Sequence, residues 1–150
     1  MKKIILTILL TFLFLGCSSK KYIAPPNTKT ISMQFLSSNI AARPYFYDKN
    51  NHLVYAGGRV FPKSNKSISN ILGEFHEINI NIPIQKSIRI GMDGGNVVSM
   101  GGVLLDATCD AEKTFFPTLG KSYVTIFSLN ASSCLTQIYE KINNRLVLVQ

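Results

Sequence analysis

The side chains able to do chemistry in this 150-residue chain are few and scattered. A serine nucleophile needs a histidine base and a strained setting such as the G-x-S-x-G elbow between a strand and a helix, and no such elbow occurs. The two histidines stand where solvent is expected: His52 follows the turn cluster Asp48-Lys49-Asn50-Asn51, and His76 lies between Glu74 and Glu77. Asp106, Asp110 and Glu112 gather around Cys109 and offer the hard oxygen ligands that calcium takes. They lack the alternate ligand positions and turn glycine of an EF-hand loop, so a solvated acidic turn after a strand is the expectation. Gly91, Gly94 and Gly95 lack the lysine and following helix of a phosphate loop, and turn chemistry over Met92–Asn96 accounts for them. The sequence nominates no catalytic residue, no metal ligand and no cofactor, and a protein that is not an enzyme is expected.

One cluster stands apart. Arg43, Tyr45, Tyr47, Tyr55 and Arg59 lie close together, and in an extended segment Tyr45 and Tyr47 share one face while Phe46 takes the other. Rings with an apolar body and a polar tip, set beside guanidinium groups, can grip a sugar, a peptide or a protein partner. Packing in the core and at strand edges is the competing expectation for the same aromatics.

The elements that would carry these residues follow a period of two. Ile31, Met33 and Phe35 alternate with Ser32 and Gln34; Arg43–Tyr47 and His52–Tyr55 flank a turn and read as a hairpin. Gly57-Gly58 permits a bend, Pro62–Asn70 reads as an exposed loop, and Ser69–Leu72 as one helical turn stopped by Gly73. Ile78, Ile80, Ile82 and Ile84 alternate with Glu77, Asn79, Asn81 and Pro83, and the proline ends that strand or puts it at an edge. Ile88–Met92, Val97–Met100, the apolar run Val103–Leu105, Lys121–Leu129, Cys134–Glu140 and Arg145–Val149 complete the set. Short strands at such regular spacing predict an all-β fold, a small β-sandwich, with a small closed β-barrel as the alternative.

Residues 1–17 read MKKIILTILLTFLFLGC. Lys2 and Lys3 precede an apolar run from Ile4 to Leu15, broken only by Thr7 and Thr11. As a helix the run covers about 18 Å, short of the ~30 Å hydrocarbon core of a bilayer. An export signal ending at the small Gly16 is therefore expected. Phe14-Leu15-Gly16-Cys17 resembles the lipobox of bacterial lipoproteins, and Ser18, Ser19 and Lys20 follow the cysteine as is common there. The resemblance implies a signal peptide over 1–16 and a diacylglyceryl thioether on Cys17, usually with an N-acyl chain such as palmitate. Serine after the cysteine implies the outer membrane, with the chain facing the periplasm. At ~0.8 kcal/mol per buried CH₂, two or more chains anchor stably. Residues 17–30 then form the lipidated cysteine and a polar, basic tether, extended by Pro25-Pro26 and reaching about 40 Å.

With Cys17 given to lipid by that resemblance, Cys109 and Cys134 remain, and an even pair in an exported chain reads as one disulfide. A zinc site completed by His52 and His76 lacks CxxC and HxxxH spacing, and a redox pair keeps its thiols closer in sequence. The domain expected over 31–150 is similar in general pattern to small transthyretin-like or immunoglobulin-like sandwich lipoproteins, an architectural likeness that implies no activity.

The formal net charge is +8, unevenly spread: residues 17–89 hold ten basic and three acidic side chains, residues 90–150 four and five. A basic half near a lipid anchor favours anionic head groups, lipopolysaccharide phosphates or peptidoglycan carboxylates, while a plain solvated surface is the competing reading. No nucleic-acid-binding signature is present. The function expected is that of an envelope or assembly component working by protein–protein contact, through strand edges or the tyrosine–arginine patch. The alternative is a binding module for an anionic envelope ligand, lipopolysaccharide or peptidoglycan.

Overall fold

Alternation in the sequence becomes two stacked sheets. The computed structural model describes residues 20–62, 77–100, 103–130 and 133–149, with the backbone alone for 96–100 and 103–107. Nine strands lie among them: β1 (Thr30–Ser37), β2 (Ala42–Tyr47), β3 (Leu53–Tyr55), β4 (Glu77–Pro83), β5 (Ile88–Met100), β6 (Val103–Phe115), β7 (Ser122–Asn130), β8 (Ser133–Ile142) and β9 (Arg145–Leu148). One sheet runs β4-β1-β7-β8-β9 and the other β3-β2-β5-β6. β1 pairs antiparallel with β4 and parallel with β7. No helix occurs among the described residues.

The inward positions of the five-stranded sheet are Ile31, Met33 and Phe35 on β1, Ile78, Ile80 and Ile82 on β4, Tyr123 and Phe127 on β7, and Ile138 on β8. They meet Ala42 and Phe46 on β2, Ile88, Ile90 and Met92 on β5, and Phe115 on β6. Each large side chain removed from water in this way contributes ~1.5–3 kcal/mol before entropy is counted. Two flat faces of bulky residues interdigitate face to face and leave each sheet with two edges, so the fold is an open sandwich and the closed-barrel alternative is not what the chain adopts. β4 is an edge strand and ends at Pro83, where a missing N–H costs no ladder bond. Pro44 sits inside β2, but its carbonyl accepts from the Ala56 N–H just past the end of β3, so its nitrogen also faces away from the β5 ladder.

The hairpin turns use the expected residues. Asp48 accepts the backbone N–H groups of Asn50 and His52 at 2.8 and 2.9 Å, and these bonds, that of His52 foremost, hold its carboxyl below the usual range. Asn143 and Asn144, with φ of 46° and 64°, close β8 onto β9 as a two-residue turn.

Two expectations need correction. Met92–Asn96 is no turn: β5 runs unbroken from Ile88 to Met100, and Gly91 and Gly94 serve close packing described below. Asp110 and Glu112 do not lie in an acidic turn after a strand either; they are within β6, alternating with Cys109 and Ala111, which pack against the core. Cys109 and Cys134 form the expected disulfide, with Cα atoms 5.9 Å apart, and it ties β6 of one sheet to β8 of the other.

Contacts of the sandwich begin before β1. The Tyr22 N–H donates to the Ala56 carbonyl at 3.0 Å, the Tyr22 ring meets Phe46 edge-on at 5.0 Å, and the Lys29 carbonyl accepts from Ile84. The expected export signal, Cys17, the loop expected over Pro62–Asn70 from residue 63 on, the turn expected over Ser69–Leu72, His76, and the side chains of Val103–Leu105 and Asp106 lie outside the described residues.

Candidate functional site

The tyrosine–arginine cluster falls on the outer face of the four-stranded sheet, and the register sets its order. Tyr55, Tyr45, Gly91 and Glu112 form one row across β3, β2, β5 and β6; Arg43, Asp93 and Asp110 form the next. Gly91 gives this face its shape. The Tyr45 ring lies directly over it, and a Cβ there would overlap the phenol. Flattened against the sheet, Tyr45 is only 2% exposed although it points away from the core.

Each phenol reaches a carboxylate. Tyr45 Oη donates to Asp110 Oδ1 at 2.6 Å and lies 3.0 Å from Glu112 Oε1, so its single proton serves two acceptors. Tyr47 donates to the same Glu112 oxygen at 2.7 Å, and Tyr55 to Asp93 Oδ2 at 3.3 Å. Two guanidinium groups stack on the rings: Arg43 lies 3.8 Å from the Tyr55 centroid and Arg89 3.5 Å from that of Tyr47. Arg89 also donates to Asn51 and approaches Glu112 at 3.7 Å.

Burial pushes the Tyr45 phenol far above the usual tyrosine range, and the carboxylates of Asp110 and Glu112 push it further. Tyr47 is raised chiefly by its hydrogen bond to Glu112. Both phenols act as fixed donors, and neither is a nucleophile at neutral pH. Because their folded values are raised, their contribution to stability is complete below the unfolded value of ~10 and is lost as pH climbs past it. Tyr22 is raised as well, by burial first, so in an alkaline titration followed by phenolate absorbance late-ionising tyrosines should include Tyr22, Tyr45 and Tyr47, and Tyr45→Phe should remove the latest. That variant should also lose about 1–3 kcal/mol in urea unfolding, since Asp110 keeps its charge and loses its donor. Six tyrosines titrating together at the ordinary value would contradict the network.

Beside this row lies an open cleft of about 540 Å³, lined by Arg43, Arg59, Asp93, Gly94, Thr108 and Asp110. Neither Arg43 nor Arg59 takes part in an ion pair among the described residues; those pairs are His52–Asp48, Arg89–Glu112 and Lys121–Glu140. The structure thus brings Arg43, Tyr45, Tyr47 and Tyr55 together and adds Arg59 at the cleft. Sequence reasoning missed Arg89, Asp93 and Thr108. Following the alternation of Ile88, Ile90 and Met92 one step further would have placed Arg89, Gly91 and Asp93 on one face. Among the described residues no three of His, Cys, Asp and Glu lie close enough to share a metal ion. The disulfide occupies both Cys109 and Cys134.

A second exposed surface lies on the other sheet. β9 is the outermost strand beside β8, and Leu146, Val147 and Leu148 are 47%, 50% and 48% exposed. Leu146 pairs with Lys141 and Leu148 with Tyr139, which puts both leucines on the outward face with Leu135, itself exposed. Val147, paired with Glu140, points the other way and is also half-exposed. No protein family model, no curated protein and no solved structure matches the chain.

Proposed function

We propose that the chain is a lipid-anchored component of a bacterial cell envelope that works by protein–protein contact and carries out no catalysis. In this reading Cys17 holds the chain in the outer membrane and the sandwich faces the periplasm. The lipobox-like Phe14–Cys17 and the paired Cys109 and Cys134 support the location. Tyr22, already bonded to Ala56, stands five residues after Cys17, so the sandwich is held within about 18 Å of the acylated sulfur. On the outer face the acids accept from phenols and hold the rings in place, a positioning role that accords with a binding surface.

The observation that carries the reading is β9. An edge strand with unpaired N–H and C=O groups and three half-exposed aliphatic side chains is a template for another strand, and proteins ordinarily blunt such edges. A partner segment adding to β9 would gain main-chain bonds from the edge and apolar burial from Leu146 and Leu148.

A photo-crosslinking residue at position 148, in cells, tests this against the same residue at Asn81 on the opposite edge β4. The expected result is a discrete protein adduct from position 148, none from 81, and loss by about tenfold or more when Leu146→Lys is added. The Cys17→Ser chain should leave the membrane fraction and lose the adduct. Equal labelling at both edges, or none at either, would remove the assembly role; membrane retention of Cys17→Ser would remove the anchor.

A further inference from the structure

We propose that the cleft between Arg43 and Arg59 binds a small zwitterion, a ligand carrying an acid group and an ammonium group a few ångströms apart. The inference concerns a different site from β9 and does not depend on the lipid anchor. Its central observation is a pairing that the register invites and the structure declines. Arg43 stands directly opposite Asp93 on the neighbouring strand, about 4.8 Å away at the backbone. The two do not form an ion pair, because the Arg43 guanidinium is turned over the Tyr55 ring, while Asp93 accepts from the Tyr55 phenol. Opposite charges are thus held apart on one wall of a cleft.

The rest of the lining repeats the arrangement. Asp110 is directly opposite Asp93, a like-charge pair that costs free energy unless donors are supplied. Tyr45 and Tyr55 supply one donor each, and a carboxylate accepts about four hydrogen bonds, so acceptor capacity remains on both. Arg59 adds a second guanidinium, and no carboxylate among the described residues neutralises it. The basic surplus of residues 17–89 favours an anion, but among the described residues lining the cleft two arginines face two aspartates. A bare anion meets the aspartates and a bare cation meets the arginines. A zwitterion satisfies both: its acid group takes the planar guanidinium fork, and its ammonium the paired carboxylates. At about 540 Å³ the cleft is of the size that holds small ligands.

A free α-amino acid and a phosphoethanolamine group share this chemistry. The test is calorimetric titration of the detergent-solubilised full chain with alanine, phosphoethanolamine, N-acetylalanine and alaninamide. The expected result is binding of alanine, phosphoethanolamine or both. The acetylated and amidated forms, each with one charge removed, should bind about tenfold or more weakly. Which of the first two binds more tightly identifies the source. Arg59→Gln and Asp93→Asn should each abolish binding with the unfolding midpoint kept, while Lys86→Gln, an exposed basic residue outside the cleft, should leave it intact. No binding of either zwitterion, equal binding of the singly charged forms, or indifference to Arg59→Gln and Asp93→Asn overturns the proposal.

Discussion

A chain carrying Cys109→Ser together with Cys134→Ser should unfold with about 3–4 kcal/mol less stability than the oxidised wild type. The bond closes a loop of 25 residues, and in the chain-entropy account a loop of that length restricts the unfolded ensemble by this amount. Its position makes the loss matter. The bond joins β6 to β8, and β8 alone carries β9, so the bridge pins the far end of the five-stranded sheet to its partner sheet. Both cysteines pack against the core, so serine in their place also gives up some apolar burial. Domains of this size have about 5–15 kcal/mol in total, and the thermal midpoint should fall by roughly 10 °C. Replacing both residues avoids a stray thiol. Urea unfolding with and without reductant checks the prediction: wild type should drop to the level of the double variant when reduced, and the variant should not respond. A wild-type midpoint unmoved by verified reduction would show that the two sheets hold their register without the staple.

That bridge was legible because thiols pair in few ways. The strands were legible where large inward residues recur at a period of two: β4, whose outward residues are polar or proline, is the cleanest case, and β1 and β7 follow it although Leu36, Val124 and Ile126 lie on their outward sides. The β2–β3 hairpin was legible through Asp48 and the asparagines of its turn. β5 and β6 were legible only in pieces, Ile88–Met92, Val97–Met100 and Val103–Leu105, and the reason is physical. Glycine signals a turn by its conformational freedom, but it also marks places where another chain segment comes too close for a side chain. Gly91 and Gly94 belong to the second kind, and the segments that press on them, Tyr45 and Phe127, are distant in sequence. In β6 the inward residues Cys109 and Ala111 are small, so the alternation with Asp110 and Glu112 carried little hydrophobic contrast. Of the surface site, Arg43, Tyr45 and Tyr47 followed from alternation, but their partners did not. Which acid lies opposite Tyr45 depends on the register of β2 on β5 and of β5 on β6, and no local pattern encodes it. The apolar edge at β9 was hidden for a related reason: Leu146, Val147 and Leu148 read as core until the strand order leaves them at the rim.

Gly94 gives that reading of the glycines its sharpest test. On the inner face of β5, a Cβ at this position would stand 2.5 Å from Phe127 Cε1, 3.0 Å from Cζ and 3.3 Å from Ile40 Cδ1. Phe127 and Ile40 are fully buried, so the ring has no solvent-side space to swing into. The backbone has little freedom to withdraw, since Gly94 lies between Ala42 of β2 and Cys109 of β6, the latter fixed by the disulfide. Gly94→Val should therefore cost about 3 kcal/mol or more, and Gly94→Ala about 1–3 kcal/mol, both as overpacking. The identity of the neighbour provides the control. Phe127→Leu alone removes buried ring and is destabilising, but combined with Gly94→Ala it opens the space the methyl group needs. The pair should then be more stable than the sum of the single losses predicts, by about 1 kcal/mol or more in a double-mutant cycle. Strict additivity of the two substitutions would show that the Phe127 ring is not what excludes a side chain at position 94.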